Sequence, residues 1–143
     1  MRRLEIHYDP PMAAPIDLLS RVELFRDLDK RELQDVAGAM KEYTYEPGRE
    51  IVTQGTGGVG FFVIAEGTAK VTIDGGDVRT LSAGQYFGEV ALLAAAPRTA
   101  TVTADTSLTC WGLTSWAFRP IVEANGTIAW KLLQAMARML SGL

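Results

Sequence analysis

The 143-residue chain has a single cysteine and a single histidine, and each scarcity removes a class of function. Cys110 has no partner for an internal disulfide, and its apolar, strand-like surroundings mark a buried core thiol rather than a nucleophile. A metal-dependent enzyme needs several His and carboxylate ligands, and a hydrolytic triad needs an imidazole base. With His7 alone, in a proline-bearing N-terminal stretch, both are set aside and neither a metal nor a cofactor is expected. Positive charge is also sparse. No basic run exceeds Arg2-Arg3, and 14 Lys and Arg face 17 Asp and Glu for a formal net charge of −3, so the footprint of a nucleic-acid binder is missing. Arg2-Arg3 leads into Glu5, His7 and Asp9 without an apolar stretch, which leaves no secretory signal in view. No segment approaches the length of a membrane span, and a cytoplasmic protein is the expectation.

What remains is ordinary soluble composition, 48% hydrophobic and 22% charged, on a length suited to one domain with a core of its own. Residues 1–15, with Pro10, Pro11 and Pro15, read as an extended arm ahead of a single domain at 16–143. Helical spacing of Leu18, Leu19, Val22, Phe25 and Leu28, then a capping box at Asp29 and Glu32, predicts N-terminal helices over 16–46, closed by Pro47-Gly48. From 47 to 114 the period becomes two. Ala69, Val71 and Ile73 alternate with Lys70 and Thr72, Asp74-Gly75-Gly76-Asp77 signals a hairpin, and Thr99, Thr101 and Thr103 alternate with Ala100, Val102 and Ala104. Many short strands with frequent Gly turns predict a mainly β protein, an antiparallel β-roll with flanking helices. Over 115–143 Trp116, Phe118, Ile121 and Val122 fit a short helix. Asn125 caps a longer one with a stripe of Ile128, Leu132, Met136 and Leu140, widened by Leu133 and Met139.

The densest chemistry lies in residues 87–104, FGEVALLAAAPRTATVTA. Gly88 permits close backbone approach, the short helical turn after it offers N–H donors at its start, and Arg98 offers a planar fork for an anion. Taken singly, these residues also fit a turn glycine, a helix-start acid and a surface ion pair.

Together they resemble the cyclic nucleotide-binding domain over essentially residues 16–140. The family's phosphate-binding segment runs F-G-E-hydrophobic-A-L, a short variable stretch, then P-R-A/T-A-T. Here it reads Phe87-Gly88-Glu89-Val90-Ala91-Leu92-Leu93, then Pro97-Arg98-Thr99-Ala100-Thr101, flanked by Pro47-Gly48, Gln54-Gly55, Phe62-Val63-Ile64-Ala65-Glu66-Gly67 and Leu81-Ser82-Ala83-Gly84. The resemblance implies a sensor that binds a 3′,5′-cyclic purine nucleotide and is not itself an enzyme. In that reading Arg98 takes the phosphate, with backbone donors from Val90 or Ala91 and from Thr99 or Ala100, while Glu89 accepts from the ribose 2′-hydroxyl. Val71 and Leu81 line the base pocket, and Trp130, Leu133, Met136 and Ala137 of the last helix are lid candidates. Family members with alanine at Thr99's position tend to prefer cAMP and threonine eases acceptance of cGMP, so cAMP is favoured here with cGMP left open. The last helix is similar to the dimer helix of the catabolite activator branch, which implies a homodimer or a protein effector as output. Two other readings stand beside this one. One is a non-binding relative kept for dimerisation or docking; the other is the sensor piece of a larger transcription factor, channel or kinase regulator.

Overall fold

A computed structural model describes residues 13–56, 60–94 and 96–142; the expected arm falls largely outside these. Among the described residues, eight antiparallel strands form two four-stranded sheets. One has the order β1 (Lys41–Tyr45), β8 (Leu108–Thr114), β3 (Gly60–Glu66), β6 (Tyr86–Phe87). The other has the order β2 (Glu50–Val52), β7 (Thr101–Ala104), β4 (Ala69–Ile73), β5 (Gly76–Leu81). This is the mainly β roll with flanking helices that the alternation predicts. The hairpin signal is realised between β4 and β5, where Asp74 and Gly75 both take positive φ, 52° and 79°, the backbone of a tight two-residue turn.

Three boundaries differ from the sequence reading. Residues 16–28 are not one helix. They split into α1 (Ile16–Leu19) and a 3-10 turn, Glu23–Phe25, because Leu19, Val22, Leu24 and Phe25 all turn inward, more than one stripe of a helix can bury. The helical part ends with α2 (Lys30–Gly38), and Lys41–Tyr45 is already a strand, so the expected helical segment of 16–46 gives way to sheet before Pro47-Gly48. The strand foreseen from Thr99 begins at Thr101.

The core has two parts, and β3 and β8 separate them. Phe61, Val63, Trp111 and Leu113 point toward the helices and join Phe25, Val36, Phe118, Ile128 and Leu132. Ile64, Leu108 and Cys110 point into the roll with Val71, Leu81, Phe87 and Val102. Strands buried on both faces carry near-continuous apolar runs, as FFVIA and LTCWGL do.

The C-terminal helices are α3 (Ser115–Ala124) and α4 (Gly126–Ser141). Thr114 caps α3 and Asn125 caps α4, each side-chain oxygen accepting N–H groups from the first turn. α4 buries Ile128, Leu132 and Ala135, with Met136 partly covered, whereas Leu140 of the expected stripe is 87% exposed. Ion pairs then fix the helix to the N-terminal elements. The α2 capping box is complete, with Glu32 N–H donating to Asp29 Oδ1 at 2.9 Å and Asp29 N–H to Glu32 Oε1 at 2.8 Å. The same Glu32 Oε1, in a buried residue, accepts from Lys131 Nζ at 2.6 Å, which raises the Lys131 pKa above its usual value. Arg138 pairs with Asp27 further along.

Candidate functional site

The second sheet curves around a cavity of about 820 Å³. Its floor is built by alternation: Val71 pairs with Val102, Val102 with Val52, and their side chains share the inner face while Thr101 and Thr103 take the outer one. Ile73, Val78 and Leu81 extend this apolar floor. All ten residues singled out as ligand contacts line the same cavity: Val71, Leu81, Phe87, Gly88, Glu89, Val90, Ala91, Arg98, Thr99 and Ala100.

Arg98 is held from both ends. Its backbone N–H donates to Thr56 O and its carbonyl accepts from Gly55 N–H, each at 2.8 Å, pinning the loop before β7 to the turn after β2. Its Nη2 donates to Gly60 O at 2.5 Å. Its Nε is buried with no hydrogen-bond partner among the described residues. Burial lowers the Arg98 pKa, yet a guanidinium stays charged at neutral pH. A buried donor without an acceptor is costly.

Gly88 makes the close approach possible. Its φ is +86°, and a Cβ there would lie 2.5 Å from Arg98 Nη1 and 2.6 Å from Gly60 O. A 3-10 turn, Glu89–Leu92, follows. Ala91 N–H donates to Gly88 O at 3.0 Å. The N–H groups of Glu89, Val90, Thr99 and Ala100 have no hydrogen-bond partner among the described residues. Four backbone donors and one guanidinium thus border one end of the cavity. The half-buried Glu89 carboxylate stands beside them with no ion-pair partner among the described residues.

Two cations escaped the sequence reading. Arg79 lies on β5 opposite Val71, and Arg21 packs over Gly84 with Nη1 2.8 Å from where a Cβ would stand. Both line the cavity. Arg79 was detectable in principle, since it lies two residues before the inward-facing Leu81 and so on the same face of the strand. Nothing local announces Arg21, which the fold delivers from 63 residues away in sequence. With Arg98 they set three arginines against one carboxylate, Glu89, in the lining of a chain whose net charge is −3. The local field therefore favours an anion.

The lid candidates stand away from the cavity in this structure. None of Trp130, Leu133, Met136 and Ala137 lines the cavity, and Trp130 and Leu133 are 63% and 56% exposed. The physical reason is the anchoring of α4 through Lys131–Glu32, Arg138–Asp27 and the buried face at Ile128, Leu132 and Ala135. Among the described residues no group of three His, Cys, Asp or Glu could hold a metal ion. Nor is any helix among them long and apolar enough to cross a membrane.

The fold is thus a β-roll with an arginine, a left-handed glycine and backbone N–H groups without partners gathered along one cavity. The comparisons with known proteins give it a family. A sequence model described as the cyclic nucleotide-binding domain matches residues 42–125, so the chain belongs to that family. It is 39% identical over 114 residues to a cAMP-dependent protein kinase type II regulatory subunit of Drosophila melanogaster, an alignment covering 80% of this chain and 30% of that protein. It is 45% identical over 92 residues to a cAMP-dependent protein kinase regulatory subunit of Yarrowia lipolytica, covering 63% of this chain and 24% of that one. The chain thus spans less than a third of the length of these curated relatives. Among solved structures, the N-terminal domain of a transcriptional regulator from Streptomyces coelicolor A3(2) superposes with a TM-score of 0.81 at 30% identity, covering 88% of this chain and 94% of that one. The cAMP-bound PfPKA-R structure superposes with a TM-score of 0.66 at 30% identity, covering 87% of this chain and 45% of that one.

Proposed function

We propose that this chain binds a 3′,5′-cyclic purine nucleotide, cAMP foremost, and serves as a ligand-responsive regulatory module rather than as an enzyme. The observation that carries the reading is the buried, unpartnered Arg98 Nε beside the open backbone N–H groups of Glu89, Val90, Thr99 and Ala100. A cyclic phosphate has one negative charge and two exocyclic oxygens, which matches a guanidinium fork with backbone donors around it. Glu89 takes the ribose 2′-hydroxyl, and Arg98 offsets the repulsion between that carboxylate and the phosphate. The base lies on Val71 and Leu81. A cavity of this size is in the range that small ligands occupy, about 300–1,000 Å³. The test is calorimetric titration with cAMP of the wild type and Arg98→Ala. Loss of charged hydrogen bonds should cost about 2–4 kcal/mol of binding, and unchanged affinity would remove the phosphate assignment.

A specific observation also favours cGMP. Arg79 lies opposite Val71 on the base floor, and an arginine fork matches the O6 and N7 acceptors of guanine, whereas adenine presents a donor beside N7.

For output, the 3-10 turn at Glu89–Leu92 is the wall between two spaces. Ala91 lines both the main cavity and a groove of about 490 Å³ between that turn and α3, whose lining includes Leu92, Leu93, Trp116 and Phe118. Ligand drawing the turn inward repacks Leu92 and Leu93 against α3 and moves α4, provided the ligand binds the two arrangements unequally. Trp130, Leu133, Ala137 and Leu140 are all exposed on α4 at spacings of three, four and three, a seam suited to the same helix of a second copy. Sedimentation velocity at micromolar concentration should show a dimer; a monomer with and without nucleotide would leave that seam to a protein effector. The setting of this module is the cytoplasm.

A further inference from the structure

The Arg98 guanidinium donates to the carbonyl of a residue outside the cavity lining, Gly60. We infer that Gly60 is a positioning residue for the phosphate site, and that the Phe62 ring is what restricts that position to glycine; this rests on the cyclic-nucleotide reading above. Gly60 opens β3, opposite Thr114 of β8, and its carbonyl receives Arg98 Nη2. A Cβ on Gly60 would lie 3.0 Å from Phe62 Cε2 and 3.2 Å from Cζ, but 3.9 Å from Arg98 Nη2, so the tight neighbour is the aromatic ring and not the arginine.

That ring is partly buried and flanked on three sides. In the sheet Phe62 sits between Gly112 on β8 and Phe87 on β6. It stacks on Phe87 with centroids 5.2 Å apart and meets Tyr43 edge-on at 6.2 Å. Over Gly112 the fit is so close that a Cβ there would stand 3.0 Å from the ring and 2.7 Å from Tyr43. Close-packed aromatics resist such displacement. A side chain at 60 therefore moves the Gly60 backbone rather than the ring, and carries the carbonyl off Arg98. Gly60 is not among the positive-φ glycines, so alanine there meets the ring without left-handed strain.

The experiment compares wild type, Gly60→Ala, Phe62→Leu and the double variant in two readouts. The first needs no ligand: the NMR-detected exchange of Arg98 side-chain protons with water, with the signal assigned through Arg98→Lys. Gly60→Ala should speed that exchange severalfold and the double variant should restore it, because leucine at 62 vacates the space the new methyl needs. The second is the cAMP dissociation constant, which should rise about tenfold in Gly60→Ala, the worth of one charged hydrogen bond, and return in the double variant. Phe62→Leu alone should leave both readouts near wild type. Unmoved Arg98 exchange in Gly60→Ala overturns the proposal whatever the titration shows, as does a double variant no better than the single one. If wild type takes up no cAMP while Arg98 exchange follows this pattern, the positioning stands and the ligand assignment alone falls.

Discussion

Gly88 and Arg98 are fitted to each other: the Arg98 guanidinium occupies the space where any other residue at 88 would place its Cβ, 2.5 Å from Nη1. The relationship joins a backbone conformation to a side-chain position across ten residues of sequence, and Gly60 O, 2.6 Å from the same point, closes the third side.

Gly88→Ala should accordingly damage binding more than folding. The left-handed backbone costs a residue with a side chain about 1–2 kcal/mol, while displacement of Arg98 removes the phosphate contact itself. Thermal denaturation and cAMP titration of the same preparation check this. A variant that loses stability yet keeps wild-type affinity would show that Arg98 has no role in holding the ligand.

Glu89→Gln should weaken cAMP binding and leave a 2′-deoxy analogue much less affected, since only the ribose hydroxyl calls on the carboxylate. The loss expected for cAMP is about 1.5–3 kcal/mol, the range for a hydrogen bond to a charged group. Equal losses for both nucleotides would take Glu89 out of the ribose role.

The proposed base choice rests on Thr99 and Arg79, both in the lining. Thr99→Ala should reduce cGMP binding more than cAMP binding, and Arg79→Gln should shift the ratio further in the same direction. Competition of the two nucleotides against a fluorescent analogue measures it; a ratio unmoved in both variants assigns base recognition elsewhere.

Burial pushes the Cys110 thiol up from its usual 9.0 to about 12. The sign follows from linkage. A raised folded-state value means the neutral thiol is favoured by the fold, so its contribution is complete below pH 9 and is lost as pH climbs toward 12. Tyr45 and Tyr86 are also raised by burial and act in the same direction. Denaturant midpoints should fall from pH 9 upward, and a thiol reagent at pH 8 should label Cys110 only in denaturant. Rapid labelling of the native protein would contradict a core thiol.

Much of this molecule is legible in one dimension. Period-two alternation in AKVTI and TVTA places Val71 and Val102 on one face, the DG turn joins β4 to β5, and Asp29 with Glu32 writes a helix start. The ten residues expected to meet a ligand do meet one cavity because they come from two short segments and two adjacent strands, where local rules hold. Local rules mislead where several faces are buried at once. The apolar spacing of residues 16–28 imitates a helix, but its side chains fill a helical core from a broken segment.

By itself, then, the amino-acid order determines the roll, the caps and the glycine-led turn at Gly88-Glu89, since turn chemistry, side-chain alternation and a glycine beside an acid act over a few residues. Only the tertiary structure decides that Arg98 is fixed by the carbonyl of Gly60, that Arg21 and Arg79 share its cavity, and that α4 stands away from it. Those outcomes depend on which distant groups compete for one space or one charge, and burial makes the competition decisive: Arg98 Nη2 takes the Gly60 carbonyl, and the buried Glu32 takes Lys131.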